Sequence, residues 1–187
     1  MRADVPLAKA YLLINHGPVT LVSSRSGECS NVMAAAWAMP LDFDPPKVLV
    51  VIDRTTFTRE LVDRSGEFAL NVPPRRLAAT VVAVGSTSGR DGDKWSRCGV
   101  GMLPASRIAA PLVAGCVAWL ECRVLDERPT ERRYDLFIAE VVAAAADDRV
   151  FSDGRWHFAD EADKTLHYVA GGQFFATGEP LLAGQRS

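Results

Sequence analysis

Apolar residues in this chain come in short β-branched runs separated by Pro and Gly, the pattern of many strands rather than long helices. Val19–Ser24 reads as a strand ending in a polar turn at Ser26-Gly27-Glu28. Asn31–Met39 is a second apolar stretch, expected to stop at Pro40 and the loop Asp42–Pro46. Lys47–Asp53 is the clearest strand, and its continuous apolar run predicts burial on both faces. Phe68–Val72 follows, bounded by Gly66 and the pair Pro73-Pro74. Gly115–Leu125 and Asp135–Ala145 predict two long strands, partners across a turn that contains Pro129. The tail Leu166–Phe175 is aromatic-rich and broken by Gly171-Gly172.

Two helices interrupt the strands. One runs from about Phe57 to Ser65, with Leu61 and Val62 as its apolar positions and Gly66 placed to end it. The other, Arg75–Val84, has Leu77, Val81 and Val84 at helical spacing and Gly85 as terminator. Strands bridged by a few helices predict an all-β barrel with peripheral α-helices. A doubly wound parallel sheet does not fit, because strands and helices fail to alternate. No G-x-G-x-x-G follows a strand, which argues against a Rossmann dinucleotide site.

Composition narrows the class. The 187 residues suit a single domain, 1–187, and 48% hydrophobic with 24% charged residues is globular rather than disordered. A formal charge of −2 argues against a nucleic-acid partner but leaves a local anion site open. Cys29, Cys98, Cys116 and Cys122 form no C-x-x-C pair, and His16, His157 and His167 stand apart from them, so no metal site is expected. Cys116 and Cys122 lie in an apolar run and read as buried thiols. Residues 1–15 lack a signal-peptide pattern and no apolar run is long enough to span a bilayer. The expected location is the cytoplasm, with no membrane partner.

Three segments could carry chemistry. In Asp53-Arg54-Thr55-Thr56-Phe57-Thr58-Arg59-Glu60 a strand ends and a helix starts, bringing three hydroxyls and two guanidiniums to the helix mouth. First-turn N–H groups and the helix dipole suit a phosphate there. A plain helix start with Thr56 as N-cap explains the same residues. Ser88-Gly-Arg-Asp-Gly-Asp-Lys-Trp95 is a polar turn holding Arg90 and Lys94, and Lys94 is a compact charge suited to a phosphate dianion. It is equally a solvated loop with balanced charges. Asn31-Val-Met-Ala-Ala-Ala-Trp37 offers small residues against which a planar ring could lie, or simply a closely packed strand. The residues alone leave these alternatives open.

In this order the segments resemble the flavin reductase-like, FMN-binding split-barrel family, and more closely its flavoredoxin branch. The resemblance rests on Asn31–Trp37, Asp44-Pro-Pro46, Lys47–Asp53, Thr56-Phe-Thr-Arg-Glu60, Ser88–Lys94 and His167-Tyr-Val-Ala-Gly-Gly172, and spans roughly His16 to Pro180. It implies a Greek-key split barrel that dimerises, with FMN near the subunit interface. It implies that Thr58 hydrogen-bonds the FMN phosphate and Lys94 neutralises it. Thr56 and its neighbours Asp53, Arg54 and Thr55 would complete the cradle, with Arg59 a further contributor. Asn31 and the backbone of Met33, Ala34, Ala35 and Ala36 would hold the ribityl chain and the pyrimidine edge. Trp37 would border the ring, and Phe174 or Phe175 would cover it. Two positions depart from the family pattern: Ala34 replaces a common Thr, so backbone must serve there, and Tyr134 replaces a common His, which removes a cation. Glu140, inside an apolar strand, is expected to be paired or to face a polar pocket.

By the same resemblance the cofactor carries the chemistry and no side chain need act as acid or base. The first functional reading is an NAD(P)H-dependent flavin reductase, with NADH or NADPH as electron donor. The alternative is a flavoredoxin-like carrier that keeps FMN and exchanges electrons with a redox protein. The third is a flavin binder without redox work.

Overall fold

The structure is a computed structural model and describes residues 17–181 and 183–184. Residues 1–15 and His16, read above from sequence, lie outside the described residues. Seven strands form one antiparallel sheet: β1 (Thr20–Ser26), β2 (Cys29–Ala35), β3 (Ala38–Phe43), β4 (Pro46–Val51), β5 (Glu67–Val72), β8 (Ala118–Val124) and β9 (Leu136–Ala146), in the order β2-β1-β5-β8-β9-β4-β3. Short hairpins are made by β6 (Met102–Leu103) with β7 (Leu112–Val113), β10 (Phe151–Ser152) with β11 (Arg155–Trp156), and β12 (Leu166–Ala170) with β13 (Gln173–Ala176). The helices are α1 (Phe57–Ser65), α2 (Ala78–Gly85), α3 (Lys94–Arg97) and α4 (Arg128–Tyr134).

The strand order explains the shape. β2 and β3 are the two edges of the sheet, yet only residues 36–37 separate them in the chain. The sheet therefore has to curl until its edges meet, and chain continuity rather than a hydrogen-bond ladder closes the barrel. The connection from β4 through α1 to β5 passes over β8 and β9, which gives the Greek-key arrangement. The expected split barrel is what forms.

Period-two alternation sorts the apolar residues into two cores. Val22, Val48, Val50, Phe68, Leu70, Cys122, Phe137 and Ala139 fill the barrel interior, where Val62 of α1 also inserts. Leu21 and Val32 point the other way, into a layer with Val81, Val84, Trp95 and Leu166. Both faces of β1 are thus buried, and α2 covers one side of the barrel. Cys116 and Cys122 are buried thiols, and desolvation pushes both up to about 12.

Four expectations need correction. Pro40 lies inside β3 rather than ending a strand: β3 is an edge strand, so a missing N–H costs no ladder bond, and the pairing is irregular between Pro40 and Asp42. β4 is not buried on both faces, because only Val48 and Val50 are buried while Leu49 and Val51 are half-buried. The link between β8 and β9 is not a simple turn: Pro129 sits in the first turn of α4, where its missing N–H costs nothing. Glu140 makes no salt bridge among the described residues; Lys47 and Arg123 lie opposite it in register, but bind Asp42 and Glu67 instead.

Candidate functional site

A cavity of about 500 Å³ opens where the barrel splits. Met33, Ala34, Ala35, Ala36 and Trp37 form one wall, and Val81, Val82, Gly85 and Ser86 of α2 face them. Val51 and Asp53, at and just beyond the end of β4, close one end, and Tyr168, Gly172 and Phe174 of the tail hairpin hang over another side. Trp37 is 50% exposed, so it stands at the rim rather than in the core.

The β2 wall has a specific polarity. Since β2 pairs with β1 on one side only, alternate residues turn their backbone groups away from the sheet. The Val32 carbonyl accepts a hydrogen bond from Lys94 Nζ at 3.0 Å, which fixes the parity. Ala34 shares it and presents its backbone N–H and C=O outward. α2 approaches closely enough that a Cβ on Gly85 would lie 3.4 Å from the Ala34 Cβ. A small residue on each element keeps the wall flat.

At the mouth of α1, Thr56 is the N-cap, and its hydroxyl accepts from the Arg59 N–H at 3.2 Å. The Asp53 carboxylate accepts from the Thr55 hydroxyl at 2.6 Å and the Thr55 N–H at 2.8 Å, and these bonds hold its pKa below the usual value. Thr58 is fully buried and accepts from Asn31 Nδ2 at 2.8 Å, tying α1 to β2. The other amide atom, Asn31 Oδ1, is buried and has no protein partner. Gly89, after Ser88, covers this pair so closely that a Cβ there would fall 2.4 Å from Asn31 Oδ1. The Ser88–Lys94 turn and the helix mouth therefore meet. Arg90 closes the contact, donating to the Thr55 carbonyl at 2.8 Å and pairing with Glu60.

Three cations behave differently from the sequence expectation. Lys94 is buried, does not line the cavity, and gives two of its N–H groups to the carbonyls of Val32 and Val84. Burial pushes its pKa down. Its third N–H has no acceptor among the described residues. Arg59 is turned away from the mouth into a hub. It pairs with Asp63 and Asp135, donates to the carbonyls of Ile52 and Glu131, and lies 4.6 Å from the Phe137 ring centroid. Arg54 pairs with Asp135 and donates to the Arg132 carbonyl. Both arginines are thereby committed to holding α1 and α4 together. Tyr134 is 59% exposed outside the cavity, whereas Phe174 lines it and packs on Tyr168 at 5.7 Å. Phe175 points to solvent at 58% exposure, so of the two aromatics it is Phe174 that meets the cavity.

The sequence reading did not place Val81, Val82, Gly85, Ser86 or Tyr168 at a binding site. A stripe of valines on a helix looks like core, and nothing local marks it as a cavity wall. Gly85 followed by Ser86 was the available hint, since small residues at a helix end permit close approach.

Comparisons with known proteins agree with this geometry. The family model described as flavin reductase like domain matches residues 14–176. The chain is 42% identical over 183 residues to the uncharacterized protein YddH of Escherichia coli K12, covering 96% of this chain and 97% of that one. An FMN-binding domain of a flavin reductases-like enzyme from Shewanella baltica OS155 superposes with TM-score 0.88 at 49% identity, covering 97% of both chains. The flavoredoxin of Desulfovibrio vulgaris (Miyazaki F) shares the fold with TM-score 0.83 at 22% identity, over 98% of this chain and 97% of that one. Among the described residues no helix is long and apolar enough to cross a membrane.

Proposed function

This chain belongs to the flavin reductase-like family, and from that premise we propose that its cavity binds FMN and that the protein is an NAD(P)H-dependent flavin reductase. The observation that carries the reading is the outward-facing edge-strand backbone at Ala34, in a wall of small residues beside a helix mouth rich in hydroxyls. A flat ring needs such a wall, and a phosphate needs such a mouth. The residues fit the group: Asn31 Oδ1 is a buried acceptor without a protein partner, at the helix mouth under Gly89. Bound FMN supplies hydride-accepting chemistry, and the polypeptide binds, orients and shields it.

In this reading Thr56, Thr58 and the first-turn amides of α1 hold the phosphate, with the third N–H of Lys94 as its charge partner. Asn31 and the backbone at residues 33–36 orient the ring. Phe174 and Trp37 border it, and the turn at Gly171-Gly172, with φ of 56° and 82°, aims Phe174. The nicotinamide approaches past the exposed Val82 at the rim of the α2 wall. A second copy of the chain covers the exposed apolar edge at Met39, Leu41 and Phe43, which are 56%, 46% and 97% exposed. Sedimentation should give a dimer, and dilution to monomer should release FMN.

The deciding experiment is absorbance of the purified, FMN-loaded protein. Prompt bleaching of the flavin band on adding NADH or NADPH supports the reductase. The flavoredoxin-like alternative draws support from Trp37, whose exposed ring borders the cavity and would bring a redox protein within electron-transfer range. A yellow protein that ignores both nucleotides but is reduced by a redox protein would establish that alternative.

A further inference from the structure

Resting on the reading of the cavity as a flavin site served by a nicotinamide donor, we propose that a basic rim built by the end of α4 binds the adenosine half of that donor and selects its 2′-phosphorylated form, NADPH, over NADH. α4 ends in Arg132-Arg133-Tyr134, all three exposed. The other arginines nearby are committed: Arg128 to Asp126 and Glu131, Arg54 to Asp135, Arg59 to Asp63 and Asp135. Arg132 and Arg133 have no carboxylate partner among the described residues. Asp53 is engaged by Thr55 and Asp135 by two arginines. Two guanidiniums without a carboxylate partner therefore sit in the last turn of one helix. Basic residues in a last helical turn complement the helix dipole, but that interaction leaves their N–H donors free.

α4 lies outside the cavity but is tied to one of its ends. Val51 lies opposite Leu136 in the β4–β9 ladder, and the Ile52 N–H donates to the Asp135 carbonyl at 2.9 Å. The ladder stops there, because Asp135 caps α4 in the left-handed conformation; Asp53, which lines the cavity, directly follows Ile52. Arg54 then anchors α4 there through the Arg132 carbonyl at 3.1 Å. The Arg133 guanidinium lies 5.3 Å from the Tyr134 ring centroid, leaving a broad planar surface open to solvent. An exposed aromatic ring backed by arginine suits adenine stacking, and a guanidinium fork suits a phosphate monoester. NADH offers the adenine but not the monoester. An acidic redox protein could also meet a basic rim, but it would not need the stacking plane.

The test uses the full chain loaded with FMN. Calorimetry should show 2′,5′-ADP binding about tenfold more tightly than 5′-AMP, as expected for one added charge-assisted phosphate contact. The Arg132→Gln/Arg133→Gln double variant should abolish that difference while keeping the flavin spectrum and the FMN affinity. In flavin-bleaching kinetics the same variant should raise KM for NADPH by about tenfold and leave KM for NADH unchanged, with the NADPH preference of the parent protein weakening at high salt. Equal binding of 2′,5′-ADP and 5′-AMP by the parent protein would overturn the rim. A variant that loses NADH and NADPH alike would overturn it too, as would one that loses only binding to a reduced ferredoxin. If 2′,5′-ADP binds through the two arginines but neither nucleotide bleaches the flavin, the reductase reading fails and the selection of NADPH as donor fails with it.

Discussion

The mouth of α1 and the wall of β2 meet at Asn31, but they are built by opposite means. At the mouth, polar side chains answer one another: Asn31 with Thr58, Asp53 with Thr55, Arg90 with Thr55 and Glu60, Arg59 with Asp63 and Asp135. Along the wall, Ala34, Ala35, Ala36 and Gly85 offer almost nothing but backbone and flat surface. The conspicuous charges hold the scaffold, and the inconspicuous alanines leave the space. In this molecule a charged residue near the site is more often a strut than a ligand contact.

The largest effect that would break this comparison is at Arg59. If it is a strut, Arg59→Met should destabilise the protein by about 3–5 kcal/mol, because Asp135 and two carbonyls lose their buried partner. Chemical denaturation would measure it. The fraction that stays folded should keep its FMN affinity, and a selective loss of FMN with unchanged stability would return Arg59 to the phosphate site.

Thr58 straddles both roles and should show a mixed effect. Thr58→Val strands the Asn31 amide N–H in a fully buried place, at a cost of about 1–3 kcal/mol in stability. FMN affinity should fall as well, since the phosphate loses a hydroxyl. Titration with FMN alongside denaturation separates the two; a change in only one would assign Thr58 to one region. On the wall, Ala34→Thr adds a hydroxyl where the backbone now serves alone. It should tighten FMN by about 0.5–1.5 kcal/mol if the hydroxyl reaches the ring, and weaken it if the Gly85 approach leaves no room.

How much of this was legible in the sequence follows from how local each cause is. α1 was read with its bounds, its Thr56 cap and its Gly66 terminator, because capping is decided within one turn; Gly66 indeed takes φ 68°. The hairpin turn after β1 was visible in Gly27 for the same reason, with φ 58°. Pro40 and Pro129 misled because their meaning depends on context, an edge strand in one case and a helix start in the other. The Arg59 hub was invisible because its partner Asp135 is 76 residues away. Lys94 was read as a charge for a phosphate, but its inward direction depends on carbonyls of β2 and α2 that only the tertiary fold brings to it. The α2 half of the cavity was hidden because an apolar helix face looks the same whether it covers a core or an empty space.

The smallest predicted effect lies at Asp53, which belongs to both regions: it lines the cavity and caps the mouth through Thr55. The Thr55 hydroxyl is the main reason its folded pKa is lowered from 3.8. A carboxylate with a depressed folded pKa contributes stability that is fully present above its unfolded pKa and lost as pH falls through the folded one. Between neutrality and about pH 5, the stability difference between the parent protein and Thr55→Val should therefore stay constant. Below about pH 4 it should shrink, as Asp53 is protonated in the unfolded chain and then in the folded one. Melting curves across that range decide the matter. A difference that varies near neutral pH would mean that another titrating group governs the mouth, and that its polar network is not the self-contained strut that sets it apart from the wall.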